Sequence, residues 1–403
     1  MPKKPLDGIR VVDFTWVLTG PIITKTLAHY GAEVIKIESR SRPDLFRISG
    51  PFKDGVPGVN RGGRFNWTSD GKMSICLNLA HPRGLKVVKR LIAHSDIVVD
   101  NYSGGSMERM GLGYEELKKV KPDIIMLSTC MQGQTGPHAA HPGFGNQLTA
   151  LSGFDYITGW PDREPVPLGA YTDNIAPHFN IVLILAALDY RRRTGKGQYF
   201  DLSQYEAGVH FMAPLVMDCA VNGRVDKRMG NRCFYAAPHG AYRCRSEDRW
   251  CAIGVFSDDE WAGFCRVIGD PEWARDPRFA TLLGRKENED ELDKLVEEWT
   301  VKYRAEEVMA LMQAAGVGAG VVRTVQEVLE EDPQLKYRQS HWVLEHPEVG
   351  KYFVPGPLFR LSKVTYDMRR APLLGEHNEY ILKDILKMSD DEIAELIIEG
   401  AVE

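Results

Sequence analysis

Short runs of β-branched residues alternate with helical patterns over residues 9–128 of this chain. The runs "IRVVDF", "EVIKIE", "SICLNL", "DIVVDN" and "DIIMLS" predict strands at 9–14, 33–38, 74–79, 96–101 and 123–128. Between them, "TKTLAHY" and "GLKVVKRLIAH" repeat apolar residues three and four positions apart, as in helices that pack on a sheet. Parallel strands need such crossover helices, so the pattern predicts an α/β fold.

The pattern changes near residue 225. There "HGAYRCRSEDRWCAIGVF" predicts an antiparallel hairpin that turns around Ser246 to Asp248, and acidic amphipathic helices follow to about residue 331. We therefore predict that 1–224 forms the first part of a large α/β domain and that 225–331 forms a small α+β domain. The remaining segment, 332–403, begins as a linker punctuated by Pro and Gly and ends in a helix.

The composition limits the classes of function. The 403 residues have a formal net charge of −5, so they offer no excess of cations for a nucleic acid backbone. The seven cysteines include no CxxC pair, which indicates neither a disulfide framework nor a zinc site. The longest apolar run, 181–188, is shorter than the about 20 residues that span a bilayer. We expect a cytoplasmic protein with no nucleic acid, membrane or metal partner.

Several catalytic motifs are absent from the sequence. It contains no GxGxxG or GxxxxGK[ST] loop for a nucleotide phosphate. It also contains no HExxH for metal hydrolysis and no GxSxG for a serine nucleophile. Because no cysteine lies in a recognisable motif, carboxylates are the main remaining candidates for chemistry.

Loops that follow two of the predicted strands are candidate ligand sites, since open α/β sheets bind ligands at the carboxyl ends of their strands. Gly20-Pro21 follows the first strand, and "DNYSGGSMERMGLGYEEL", which contains Arg109, follows the fourth. Each loop also has an interpretation without a ligand. Gly20-Pro21 is then a tight connection into a helix, and the second loop consists of turn glycines and a solvated arginine. Lys72, just before the third strand, has the alternative of a surface lysine. The residues alone leave these alternatives open.

Asp173 lies in "GAYTDNIAPH", ahead of the apolar helical pattern "IVLILAAL". A carboxylate at that place is typical of a helix cap. It is also suited to a nucleophile, because amide dipoles at the start of a helix favour the ionised form. The two interpretations are compatible.

Five blocks of sequence, in order, resemble the class III coenzyme A transferase family, which includes formyl-CoA:oxalate and carnitine CoA-transferases and the related 2-methylacyl-CoA racemases. The blocks are "PLDGIRVVDFTWVLTGP", "GAEVIKIE", "VVDNYSGGSMERMGLGYEEL", "AALDYRRRTGKGQYFDLSQYEA" and "RAPLLGEHNEYIL". Together they span almost the whole chain.

The resemblance implies that Asp173 is the nucleophile, passing through a mixed anhydride and an aspartyl-CoA thioester. It implies CoA and acyl-CoA as substrates, with no permanently bound cofactor and no metal. It also implies a Rossmann-like large domain formed by both chain ends, a smaller middle domain and an interlocked dimer. The partner chain is either a second copy or a related subunit.

The resemblance also assigns the positions that contact CoA. They are Val17 and Thr19 after the first strand, Arg40 after the second, Lys72 before the third, and Asn101, Tyr102, Arg109 and Met110 after the fourth. One position departs from the family pattern, because Ser39 directly follows "IKIE" where the oxalate enzyme has arginine.

The acceptor pocket differs from that of the oxalate enzymes. Leu18 replaces a glutamine, and Phe144-Gly145 replaces a Tyr-Glu pair, so we expect an acid with a hydrophobic, for example aromatic, body. "GQTGP" and "GAYTD" resemble benzylsuccinate CoA-transferase subunits, which implies succinyl-CoA as donor. One alternative is a racemase, although Phe144-Gly145 occupies the place of the His-Asp pair of the racemases. The other alternative is a non-catalytic CoA-binding subunit.

Overall fold

The computed structural model describes residues 4–357, 359–366 and 368–403; Leu358 and Asp367, within the predicted linker, lie outside the described residues. The chain forms two compact units. The first comprises the residues up to Asp155, Pro167–Val225 and Gln334–Glu403, and the second comprises Tyr156–Val166 and Asp226–Pro333.

The strands form three sheets. They are β1 (Arg10–Asp13), β2 (Glu33–Glu38), β3 (Met73–Cys76), β4 (Ile97–Asp100), β5 (Ile125–Cys130), β6 (Tyr199–Ser203), β7 (His239–Arg243), β8 (Trp250–Gly254), β9 (Gly318–Val321), β10 (His341–His346) and β11 (Gly350–Pro355). The first six make one parallel sheet in the order β3-β2-β1-β4-β5-β6. The predicted α/β fold class is therefore confirmed.

The α-helices are α1 (Thr19–His29), α2 (Leu45–Ile48), α3 (Gly63–Thr68), α4 (Pro82–Ala93), α5 (Ser106–Arg109), α6 (Tyr114–Val120), α7 (Gly145–Leu151), α8 (Phe154–Ile157), α9 (Thr172–Thr194), α10 (Gln204–Phe211), α11 (Ala213–Asn222), α12 (Asp258–Val267), α13 (Leu282–Glu287), α14 (Glu289–Thr300), α15 (Ala305–Ala314), α16 (Val325–Glu330), α17 (Pro333–Tyr337), α18 (Asn378–Tyr380) and α19 (Asp390–Ile398). Short 3-10 turns lie at Lys53–Gly55, Glu272–Arg275 and Pro277–Phe279, and a π-helical turn lies at Ile381–Ile385. Within the described residues, every helix is too short or too polar to cross a bilayer.

The parallel sheet is covered on both faces, as all-parallel sheets generally are. Neighbouring residues of β1 point to opposite sides, because Val12 joins one apolar cluster and Val11 joins another. The C-terminal residues Leu396 and Val402 pack in the same cluster as Val12. The end of the chain therefore completes a core that its first strands began.

The strand order reverses between β1 and β4. A crevice forms at such a switch point, because the connections from the two neighbouring strands leave in opposite directions. The loops that begin at Phe14, after β1, and at Asn101, after β4, meet at this crevice, and four of the predicted site residues lie in them: Val17, Leu18, Asn101 and Tyr102.

The second unit contains the antiparallel sheet β7-β8-β9. The predicted hairpin is confirmed, and Ser246 and Asp248 in its turn have positive φ angles of 93° and 49°. The sequence analysis did not predict β9, whose residues "GAGV" carry little side-chain pattern. It also did not predict the β10-β11 hairpin of the first unit.

Candidate active site

Helix α9 begins one residue before Asp173. The position that precedes the helix is Tyr171, and its side chain makes no capping bond. The backbone N–H groups of Tyr171 and Thr172 instead donate to the Thr149 hydroxyl oxygen of α7, at 3.0 and 3.4 Å. The interpretation of Asp173 as the helix cap is therefore wrong, because the Thr149 side chain of another helix accepts the hydrogen bonds at the start of α9.

The Asp173 carboxylate is half-buried and lies against Gly145 of α7. A methyl group placed on Gly145 would come within 2.4 Å of Oδ1, so the carboxylate occupies the space that any side chain would need. Burial raises the pKa of Asp173 to about 6, and a hydrogen bond from the Thr19 side chain opposes this rise. Asp173 forms no salt bridge with another described residue. At neutral pH it is an ionised carboxylate without a counter-ion, which is a suitable state for a nucleophile.

Thr19, the first residue of α1, connects Asp173 to α10. Its hydroxyl also lies 3.3 Å from Oε1 of Gln204, and both side chains are buried. The structure has this hydroxyl as the donor and the Gln204 amide oxygen as the acceptor. The Thr19 hydroxyl therefore lies between the Gln204 amide and the Asp173 carboxylate, whose pKa it lowers.

The loop between β1 and α1 is held by two side chains. The Asn101 amide accepts a hydrogen bond from the Trp16 N–H and donates one to the Trp16 carbonyl, both at 2.8 Å. The Val17 N–H points to the Asp44 carboxylate, at 3.2 and 3.4 Å from its two oxygens. Between these contacts Val17 has a φ of 66°. The structure thus brings Val17, Thr19 and Asn101 together at the switch point.

Lys72 lies in the protein interior and not on the surface. Its Nζ is 3.0 Å from Oδ2 of Asp13, and both side chains are fully buried. Burial lowers the pKa of Lys72 to about 8, so the amine keeps its proton at neutral pH. The surface alternative is wrong, and a contact between this ammonium and CoA would require the Asp13 ion pair to open.

The other predicted CoA contacts lie in loops at the carboxyl edge of the sheet. Arg40 is exposed after β2, and its backbone N–H is bonded to the Glu403 carboxylate. Arg109 is exposed on α5, where its guanidinium folds back onto the Ser106 hydroxyl, at 2.8 Å. Tyr102 and Met110 pack partly against the sheet core, and the Tyr102 ring stands edge-on to Trp16.

Aromatic side chains surround the start of α9. Phe144, which precedes Gly145, is 60% exposed. Tyr171 packs edge-on against Phe154 and Phe211, and Phe211 is also exposed. Leu18, in contrast, packs with the buried cluster of the first unit that contains Phe46, Phe65 and Ala371. The apolar surface beside Asp173 is therefore built mainly from aromatic rings that the sequence analysis, apart from Phe144, did not single out.

A half-buried carboxylate at a helix start, beside the switch point of a parallel sheet, is consistent with acyl transfer. The sequence profile of CoA-transferase family III matches residues 6–378. The chain belongs to this family. It is a class III CoA-transferase, and the predicted family and enzyme class are confirmed.

Named relatives cover almost the whole length of this CoA-transferase. The succinyl-CoA–D-citramalate CoA-transferase of Chloroflexus aurantiacus is 36% identical over 400 residues, with 98% of this chain and 97% of that protein covered. The beta subunit of the succinyl-CoA–L-malate CoA-transferase of Chloroflexus aurantiacus is 32% identical over 399 residues, with 97% and 96% covered.

A solved structure has the same fold. The crystal structure of a CAIB/BAIF family protein from Brucella suis superimposes with a TM-score of 0.86 at 32% identity. The match covers 95% of this chain and 100% of the Brucella chain.

Three residues that support the candidate site escaped the sequence analysis. Thr149 caps α9, Gln204 contacts Thr19, and Asp44 holds the loop after β1. Gln204 lies inside the block "GQYFDLSQYEA" that carried the resemblance, so its position offered a signal. Thr149 and Asp44 lie in no such block, and their roles depend on contacts distant in sequence.

Proposed function

We propose that this enzyme transfers CoA from succinyl-CoA to a carboxylic acid with a hydrophobic body, such as benzylsuccinate, through covalent intermediates on Asp173. The observation that carries the proposal is the ionised, half-buried carboxylate of Asp173, with no salt-bridge partner among the described residues and the Thr19 hydroxyl beside it. The succinyl-CoA donor is supported by the names of the two Chloroflexus relatives.

The first half-reaction loads CoA onto the enzyme. An Asp173 oxygen attacks the thioester carbonyl carbon; a C–O bond forms, the C–S bond breaks, and CoA leaves as a thiolate from a mixed anhydride. The thiolate then attacks the Asp173 carbonyl carbon. A C–S bond forms, the anhydride C–O bond breaks, and succinate leaves an aspartyl-CoA thioester behind.

The second half-reaction repeats these steps with the acceptor. The acceptor carboxylate attacks the Asp173 thioester and releases the thiolate, and the thiolate then attacks the acceptor carbonyl of the new anhydride. The products are the acceptor's CoA ester and free Asp173. Every bond broken is replaced by one of the same kind, so no redox cofactor is required.

Binding of CoA is proposed for the unit that contains both chain ends. Val17 and Thr19 line the thioester region, and Arg40, Tyr102, Arg109 and Met110 follow the rest of the molecule. The positions of these residues in loops at the carboxyl edge of one sheet support this assignment, because parallel α/β sheets bind ligands there. For Lys72, the buried ion pair with Asp13 favours a structural role. For Asn101, the two hydrogen bonds of its amide with Trp16 favour a role in holding the loop after β1.

The hydrophobic acceptor is supported by the aromatic surface near Asp173. Phe144, Tyr171 and Phe211 all expose ring surface, and burying one apolar side-chain equivalent is worth roughly 1.5–3 kcal/mol. Gly145 adds neither charge nor hydrogen-bonding side chain beside the nucleophile. The Chloroflexus relatives carry the names of two hydroxy acids, citramalate and malate, and both belong among the competing acceptors in the test.

The partner of this chain is proposed to be a second copy or a related subunit, in an interlocked dimer. One of the Chloroflexus relatives is named as a beta subunit and the other is named without a subunit, which supports keeping both possibilities in the proposal.

The mechanism is tested by trapping the loaded enzyme. The protein is incubated with succinyl-CoA without acceptor, quenched with hydroxylamine or borohydride, digested and analysed by mass spectrometry. We expect the label on Asp173 alone, and we expect Asp173→Asn to lose at least about 10³-fold in turnover. Asp189→Asn, an exposed carboxylate of the same helix paired with Arg192, is the matched control and keeps its activity. A label on another residue would refute the mechanism.

The acceptor is tested with a panel of benzylsuccinate, phenylacetate, glutarate, malate, citramalate and oxalate, each supplied with succinyl-CoA. New CoA esters are identified by mass. We expect the highest kcat/KM for an acid with an apolar body. Preferred transfer to malate, citramalate or oxalate would overturn the acceptor assignment and leave the role of Asp173 intact.

A further inference from the structure

Val17 has an uncommon backbone conformation for its residue type. Its φ of 66° lies in the left-handed region, where the Cβ of an L-residue crowds the following carbonyl group. A β-branched side chain makes this conformation still less favourable. Such strain persists only where the surrounding structure imposes it, and it is concentrated at functional sites.

Two side chains impose this conformation from opposite sides of the crevice. Asn101, directly after β4, binds both the N–H and the carbonyl of Trp16, so its amide fixes the peptide groups on either side of that residue. The Asp44 carboxylate accepts a hydrogen bond from the Phe46 N–H, at 3.0 Å, and so caps α2. It also accepts a hydrogen bond from the Val17 N–H.

Asp44 is in turn held in place by a buried lysine on β2. Its carboxylate lies 3.1 Å from Nζ of Lys36 on β2, and both side chains are buried. The same ammonium donates to the carbonyl of Thr15, two residues before Val17. Because each of these buried charges has a partner, moving the loop would leave charge unpaired in the interior.

We propose that Asn101 and Asp44 are positioning residues that hold Val17 in its strained conformation and thereby place the Thr19 hydroxyl on the Asp173 carboxylate. The inference rests on the proposed function, because it takes Asp173 as the nucleophile. Leu18 alone separates Val17 from Thr19, so a change at Val17 is transmitted directly to the first turn of α1. In this assignment Asn101 acts through the loop and not by contact with CoA.

The test is a set of variants in the full-length protein. Asn101→Ala removes the amide that holds Trp16, and we expect kcat to fall about 10- to 100-fold while the KM for succinyl-CoA stays within a few-fold of the parent value. Val17→Gly is then added, because glycine adopts a positive φ without steric cost. We expect the double variant to recover at least part of the lost kcat.

Val17→Ala combined with Asn101→Ala is the matched control. Alanine removes most of the same packing against Phe46 and Phe65 but keeps a Cβ, so it does not restore the loop. If Asn101→Ala fails to fold, Asn101→Asp replaces it, because aspartate keeps the acceptor for the Trp16 N–H and loses only the donor to the Trp16 carbonyl.

The pH profile supplies a second readout. In the described part of the chain, burial and the Thr19 hydroxyl are the influences on the Asp173 pKa, with no charged partner. Displacing Thr19 removes a hydrogen bond that stabilises the ionised carboxylate of Asp173. The acidic limb of the kcat/KM profile should therefore move to higher pH in Asn101→Ala. It should return to the parent position in the double variant that also carries Val17→Gly.

The outcomes separate the two proposals. A raised KM with unchanged kcat in Asn101→Ala, or equal recovery with glycine and alanine at position 17, would overturn the positioning role while Asp173 is still labelled by the trapping experiment. If Asp173 is not labelled in the parent enzyme, the proposed function itself fails.

Discussion

The Asp173 carboxylate lies directly on the backbone of Gly145, with no room for a side chain between them. A methyl group on Gly145 would lie 2.4 Å from one carboxylate oxygen and 2.6 Å from the other. Contacts of that length are not tolerated, so either the carboxylate or α7 must move. Since Asp173 is the proposed nucleophile, its position and that of Gly145 are coupled.

Gly145→Ala should therefore lower kcat/KM by about 10- to 100-fold, because small misplacements of a reacting group have effects of that size. The change is measured in the succinyl-CoA assay, together with thermal unfolding. Gly320→Ala is the control, since no atom lies within 4 Å of its added methyl group. Parent-like turnover in Gly145→Ala would show that the carboxylate has more space than the structure gives it.

The activity should depend on the ionisation of Asp173. Its pKa is raised to about 6, and only the ionised carboxylate is nucleophilic. We expect kcat/KM to be constant above about pH 7 and to fall as the pH decreases through 6, reaching about one tenth of the plateau at pH 5. A profile that is flat between pH 5 and 8 would contradict this assignment.

Thr19→Val should move that acidic limb to higher pH. The hydroxyl stabilises the ionised carboxylate, so its removal raises the pKa of Asp173 further and leaves less nucleophile at a given pH. Thr26→Val is a matched control in the same helix, because among the described residues the Thr26 hydroxyl bonds only the Ile22 carbonyl, at 2.8 Å. A shift of the acidic limb to lower pH in Thr19→Val would contradict the assignment of the Thr19 hydroxyl as a stabiliser of the ionised Asp173 carboxylate.

Lys72→Met should reduce stability more than CoA affinity. The change leaves Asp13 buried without its ion-pair partner, for which losses of about 3–5 kcal/mol are typical. The free energy of unfolding is measured in urea, and the KM for succinyl-CoA is measured on the folded fraction. Lys53→Met, in an exposed pair with Asp54, should change neither. A large rise in KM at parent stability would favour the CoA contact that the resemblance assigned to Lys72.

The sequence by itself determined the α/β class, the first five strands of the parallel sheet and the hairpin after residue 225. Each of these depends on periodicity among consecutive residues, which the chain carries without reference to its partners in space. The five blocks of family resemblance also pointed to Asp173 as the candidate nucleophile, since its place in the chain relative to these blocks was enough to single it out.

Only the tertiary structure decided how the side chains around Asp173 are used. The Thr149 cap joins residues 22 positions apart, the Lys72–Asp13 pair joins residues 59 apart, and the contact between Asn101 and Trp16 joins residues 85 apart. The order of strands in the sheet brings the last two pairs together, because β4 lies beside β1 and β2 lies between β1 and β3. Local patterns contain no information on such contacts. The sequence alone therefore did not indicate that Lys72 forms a buried ion pair or that Asn101 holds the loop after β1.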